Sequence, residues 1–95
     1  MRIIVRGPTY YSQNDEAAMF EWLAKVSGLT VKGVGRDLHL SLKRRPSNVA
    51  LRDLVALFLR YRLDMRPLAA LRHPTNEHWF AAPEADWYGP VFGRR

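Results

Sequence analysis

The chain has no cysteine, so disulfide staples, thiolate zinc sites and cysteine nucleophiles are all excluded. It also lacks any apolar run near the roughly 20 residues that a bilayer-spanning helix requires. Its first residues, Met1-Arg-Ile-Ile-Val-Arg6, meet a charge after three apolar side chains, which leaves no signal-peptide core. The expectation is a cytoplasmic protein with no membrane contact. Acid is scarce as well: nine Asp and Glu stand against 15 Lys and Arg, for a formal charge of +6. Serine elbows and phosphate-binding glycine loops are missing. Gly33-Val-Gly35 opens no helix and is followed by neither a third glycine nor a Lys-Ser/Thr pair.

What remains suits a folded domain. An apolar fraction of 47% with 25% charged residues argues against disorder, and 95 residues suit one domain over 1–95. The cationic excess is local. Residues 43–72 hold Lys43, Arg44, Arg45, Arg52, Arg60, Arg62, Arg66 and Arg72 against Asp53 and Asp64. Such concentration raises the local potential and favours anionic partners.

A hairpin is legible in the letters. Leu29-Thr-Val-Lys-Gly-Val34 and Asp37-Leu-His-Leu-Ser-Leu42 flank Gly35-Arg36, and glycine first in a two-residue loop predicts a type II′ turn. Closing the ladder there pairs Val34 with Asp37, Lys32 with His39 and Leu29 with Leu42. The strongly apolar pairs then share one face, leaving Thr30, Lys32, His39 and Ser41 on the other. Arg2 to Arg6 reads as a short strand with Ile3 and Val5 inward. Ser12, three residues before Asp15, predicts a helix start with a capping-box spacing, and Asn14 is a rival cap. The helix should run to about Val26, close at Gly28, and gather Met19, Phe20, Trp22, Leu23 and Val26 on one side. After the basic turn Lys43-Arg-Arg-Pro46, Ser47 or Asn48 caps a second helix to about Arg62.

Strand, helix, hairpin, helix is a split βαβ unit, half of a ferredoxin-like fold, with sheet order 1-3-2 and both helices on one face. The fourth strand of such a fold is not evident. Asp64 to Leu71 reads as a third short helix capped by Asp64, and Val91-Phe92 is the one late candidate strand. On the second helix, Leu51, Leu54, Val55, Leu57, Phe58, Leu59 and Tyr61 sweep an apolar arc of about 200°, whereas a helix lying on a sheet needs only about 100°. A second body must cover the rest. The third helix with the aromatics Trp79, Phe80, Trp87, Tyr88 and Phe92, whose C-terminal part (80–95) forms a wrapping tail, is the expected cover, with a homodimer as the alternative to a monomer.

No chemistry-bearing constellation emerges. His73 and His78 are five apart in a Pro-containing loop, too far for one helical face, with no third ligand in evidence, so the loop reads as solvated. Asp15 and Glu16 read as first-turn helix acids. No catalytic residue, metal ligand or cofactor is assigned. On the sheet, Arg2, Arg6, Lys32, His39 and Lys43 should point away from the helices, with Arg44 and Arg45 extending that edge and Arg52 following on the second helix. His39 reads as a surface histidine, or, in an enzyme, as a general base. The fold class is thus α+β. The expected function is a non-catalytic binding module, a regulator or immunity-type partner, whose basic surface meets an acidic protein. A nucleic-acid-binding domain using the same residues is the alternative, and a small enzyme the third.

Tyr11-Ser-Gln-Asn-Asp-Glu16 with Phe20-Glu-Trp-Leu23, Leu51-Arg-Asp-Leu-Val-Ala-Leu-Phe58 with Arg60-Tyr61, Asp64-Met65 with Leu68-Ala69, and Trp79-Phe80 before Trp87 and Val91-Phe-Gly93 resemble a family of small uncharacterised bacterial α+β proteins. The resemblance spans nearly the whole chain and implies no activity and no functional residue.

Overall fold

The computed structural model describes residues 1–93. Strand β1 (Arg2–Arg6) leads through helix α1 (Gln13–Ala24) to the hairpin of β2 (Leu29–Val34) and β3 (Asp37–Leu42). Helix α2 (Asn48–Tyr61) follows. The sheet order is β1-β3-β2, with β3 antiparallel to both neighbours, as the split βαβ reading requires. Val34 pairs with Asp37, Lys32 with His39 and Leu29 with Leu42. Gly35 has φ +60° while Arg36 stays at negative φ, the signature of a type II′ turn. Register decides what is buried. Ile3, Val5, Leu38, Leu40 and Leu42 are buried beneath the sheet, and the alternate residues Arg2, Ile4, Arg6, Thr30 and Lys32 are exposed on the other face.

Both helices start where short polar side chains satisfy first-turn N–H groups. The Ser12 hydroxyl accepts from the Asp15 N–H at 3.1 Å, and the Ser47 hydroxyl from the Ala50 N–H at 3.1 Å. The Asp15 carboxylate reaches back one residue further than a capping box prescribes, accepting from the Tyr11 N–H at 3.2 Å. Helix α1 buries Met19 and Leu23, with Val26 buried just beyond its end, while Phe20 and Trp22 are only half covered.

Helix α2 ends in a Schellman arrangement without glycine. Arg62 takes the left-handed conformation (φ 56°), the Leu63 N–H donates to the Phe58 carbonyl, and Leu63 is buried against the core. That conformation costs an L-residue about 1 kcal/mol, which the burial of Leu63 offsets.

Beyond α2 the expected third short helix is present as a 3₁₀ helix, Arg66–Leu71, whereas the late strand is not. The Asp64 carboxylate accepts from the Arg66 N–H at 3.1 Å and clamps the Arg66 guanidinium at 2.8 and 2.9 Å. These bonds, the side-chain one foremost, hold Asp64 below the usual carboxylate range. Two one-turn helices follow, α3 (Glu77–Phe80) and α4 (Tyr88–Phe92). Val91-Phe92 is therefore helical, not a strand, and the sheet has three strands. The 3₁₀ helix packs beside β1, and α4 packs on the 3₁₀ helix. Together they and α2 form one core with the sheet, in which Leu51, Leu54, Val55, Leu57 and Phe58 are buried. Most of the wide apolar arc of α2 is thus covered from within the chain, and Leu59 alone of that arc stays 39% exposed.

The segment His73–His78 is solvated at Pro74, Thr75 and His78, as its composition suggests, but it is anchored through Asn76 and ends in the first residues of α3. Asn76 is 1% exposed, its amide donating to the Leu71 carbonyl at 2.9 Å and its Oδ1 accepting from the His73 N–H at 3.0 Å. His73 Nδ1 is engaged locally, 2.8 Å from the Thr75 hydroxyl.

Candidate functional site

The face of the sheet turned away from the helices carries three cross-strand rows. Pairing places Arg2, Ser41 and Thr30 in the first, Ile4, His39 and Lys32 in the second, and Arg6, Asp37 and Val34 in the third. With strands about 4.8 Å apart and same-face residues about 7 Å apart along each strand, these side chains occupy a field only about 10 by 14 Å. Lys43 extends the β3 row by one further same-face position, and the exposed Arg44 and Arg45 lie at that end of the sheet. Asp37 is the one carboxylate among the three rows. The ion pairs found among the described residues are Asp64–Arg66 and Arg72–Glu77, so none of Arg2, Arg6, Lys32 or Lys43 has a described carboxylate within 4 Å.

The relief there is slight. Arg2, Thr30, Lys32, Val34, His39 and Ser41 surround a shallow depression of about 330 Å³. His39 is half buried at its centre, with no described carboxylate oxygen within 4 Å. Ile4, 49% exposed, and Val34, 47% exposed, supply apolar ground between the cations, and no aromatic side chain stands in the three rows.

Arg52 does not belong to this surface. It projects from α2, in the layer behind the sheet, and its guanidinium lies 4.1 Å from the centroid of the Trp79 ring. Among the described residues the Trp79 indole N–H finds no acceptor, so the ring is held by its buried area, by Arg52 above it and by an edge contact with Trp87. Arg52 thus packs on Trp79 while the residue as a whole stays exposed. Neither a group of three or more potential metal-ligating side chains nor a helix long and apolar enough to cross a membrane occurs among the described residues.

No protein-family model, curated protein or solved structure matches this chain.

A second concavity lies at the hairpin end of the molecule, between Phe20 and Glu16 of α1, Tyr10, and Gly33, Arg36 and Arg6, with a volume of about 490 Å³. The Tyr10 hydroxyl points at the Met19 sulfur (3.8 Å), and burial first, then Glu16 and Asp15, push its pKa up. The signal for this cleft was Gly33. It occupies a strand position facing the helices, opposite the buried Leu38, in a regular ladder at negative φ, and a Cβ there would meet nothing within 4 Å. The turn explains Gly35 but leaves Gly33 unexplained. Valine at this position should therefore raise stability by about 0.5–1 kcal/mol, through strand propensity and partial filling of the cleft. Urea titration of Gly33→Val checks this: a lower midpoint would mean that the cleft does not accept the side chain.

Proposed function

We propose that this chain works in the cytoplasm as a non-catalytic interaction module. The open face of its sheet binds an acidic surface of a partner protein, in the manner of a regulator or immunity-type partner. One observation carries the reading. Arg2, Arg6, Lys32 and Lys43 stand on one flat face around Ile4, His39 and Val34, with Asp37 as the sole acid in the three rows and none of these four cations in an ion pair with a described carboxylate. Cations left unpaired by their own chain are available to a partner, and apolar side chains between them add area that a purely solvating surface would not need. Arg44 and Arg45 widen the field at the Lys43 end.

A phosphate backbone would satisfy the same charges. It is the weaker reading, because an open sheet that binds single strands stacks bases on aromatic side chains, and the three rows offer none. Fluorescence anisotropy separates the two. At roughly 25 mM salt a labelled poly-glutamate peptide should bind, and the double variant R2E/K32E should weaken it about tenfold or more while unfolding like the parent. Labelled single- and double-stranded oligonucleotides should bind more weakly than the peptide. An oligonucleotide held more tightly, with a log–log salt slope steeper than about −3, would replace the protein partner with nucleic acid. No association with either probe would overturn the basic face as a binding surface.

A further inference from the structure

The outer edge of β1 is the most specific feature of this face. The Leu42 N–H donates to the Met1 carbonyl at 2.7 Å, and the Gly7 N–H to the Arg36 carbonyl at 2.6 Å. Antiparallel pairing alternates, so the odd residues of β1 point their N–H and C=O groups at β3, and those of Arg2, Ile4 and Arg6 point outward. Among the described residues no backbone hydrogen bond from another element reaches these outward groups. A ferredoxin-like sheet would lay its fourth strand here, but the segment after α2 forms the 3₁₀ helix instead. The 3₁₀ helix lies close to β1, but among the described residues it bonds to none of these outward groups, and the outward-bonding residues are also those with side chains on the open face. They read cation, apolar, cation, and Ile4 is 49% exposed between Arg2 and Arg6.

We propose that an extended acidic segment of a partner protein adds to this edge as a fourth, antiparallel strand. Its sequence would run acid-x-apolar-x-acid, setting the two carboxylates opposite Arg6 and Arg2 and the apolar residue opposite Ile4. The mode is strand addition: main-chain bonds supply affinity and alternate side chains supply selectivity. The proposal rests on the reading of the basic face as a protein-binding surface and names the form its partner takes. A second copy of the chain does not fit the edge. Two β1 strands centred antiparallel on Ile4 would place Arg2 directly opposite Arg6 twice, and like charges opposite each other are destabilising. An acidic segment turns both positions into attractive pairs.

Four labelled peptides test this by anisotropy on the full chain. The parent peptide contains Thr-Glu-Thr-Val-Thr-Glu-Thr. One derivative is N-methylated at Val, whose N–H would face Ile4, and another at the preceding Thr, whose N–H would face water. The fourth is a scrambled peptide of the same composition. The parent should bind, methylation at Val should weaken it about tenfold or more, and methylation at Thr should change it less than about twofold. The Ile4 amide should also exchange more slowly with solvent when the parent is bound. Equal binding of both methylated peptides, or scrambled binding as tight as parent, would overturn strand addition and leave the basic face as a binding surface. Failure of parent and scrambled peptides alike would overturn both.

Discussion

Phe80→Ala is expected to remove about 3–5 kcal/mol of unfolding free energy and to lower the melting temperature by roughly 15–30 °C. The ring is fully buried and sits where the C-terminal turns meet the core. It makes an edge contact with Phe92 of α4 at 5.1 Å between centroids and a tilted one with Trp79 at 5.7 Å, and its own carbonyl accepts the Trp87 indole N–H at 2.8 Å. Truncation would leave a cavity and would also loosen Phe92, which carries Tyr88 on its other side at 5.3 Å. Domains of this size hold only about 5–15 kcal/mol in total, so the loss takes a large share. Because Phe80 and Val91 belong to the same buried cluster as Leu57 and Phe58, the transition should stay single, with a lower urea midpoint and an unchanged m-value. A melting point within about 5 °C of the parent would show that the C-terminal turns are an appendage and not part of the core.

How far the letters led differs by element, and the reason is range. The hairpin was readable because two signals three residues or fewer from each other, Gly35 and the alternation in Asp37–Leu42, agree on one register. That register carried Lys32 and His39 to one face, and the alternation of Arg2–Arg6 with Ile3 and Val5 inward sent Arg2 and Arg6 the same way, since parity along a strand is a local property. Helix starts were readable for the same reason, because Ser12 and Ser47 act on N–H groups three residues ahead.

The tail was not. Tyr88-Gly-Pro-Val-Phe92 contains a glycine and a proline and has no helical propensity to speak of. Its single turn is set by Phe92 docking on Phe80, twelve residues earlier, so tertiary contact overrides the local preference that made Val91-Phe92 look like a strand. Arg52 shows a related limit. Charge on an exposed helix position says nothing about an aromatic ring 27 residues later, and only the folded chain brings Trp79 beneath the guanidinium. The unpaired β1 edge lies between these cases. The sequence left a fourth strand open, with Val91-Phe92 as its one candidate, and that the outward N–H groups coincide with Arg2, Ile4 and Arg6 required the hydrogen-bond phase of the ladder.

Asn76 is the polar counterpart of Phe80. Asn76→Ala is expected to cost about 2–4 kcal/mol, because it strands two backbone groups at once: the buried Leu71 carbonyl and the part-buried His73 N–H. Those groups belong to the end of the 3₁₀ helix and to the turn into α3, so this side chain stitches both pieces together where neither has enough regular structure to satisfy itself. Asn76→Asp separates the two bonds. The carboxylate still accepts from His73, but it sets an acceptor against the Leu71 carbonyl and carries a charge at a position 1% exposed. At pH 7 the aspartate variant should therefore be less stable than the alanine variant. Burial raises the folded-state pKa of that carboxyl above its unfolded value near 3.9, so the native state binds the proton more tightly. The penalty relative to the parent must then shrink as pH falls from 7 towards 4, since the protonated acid also regains an O–H donor for Leu71. Urea midpoints for parent, N76A and N76D at both pH values decide the matter. An aspartate penalty that is flat across this range would mean that water enters the turn and solvates the charge, and the stitch would then be a surface contact.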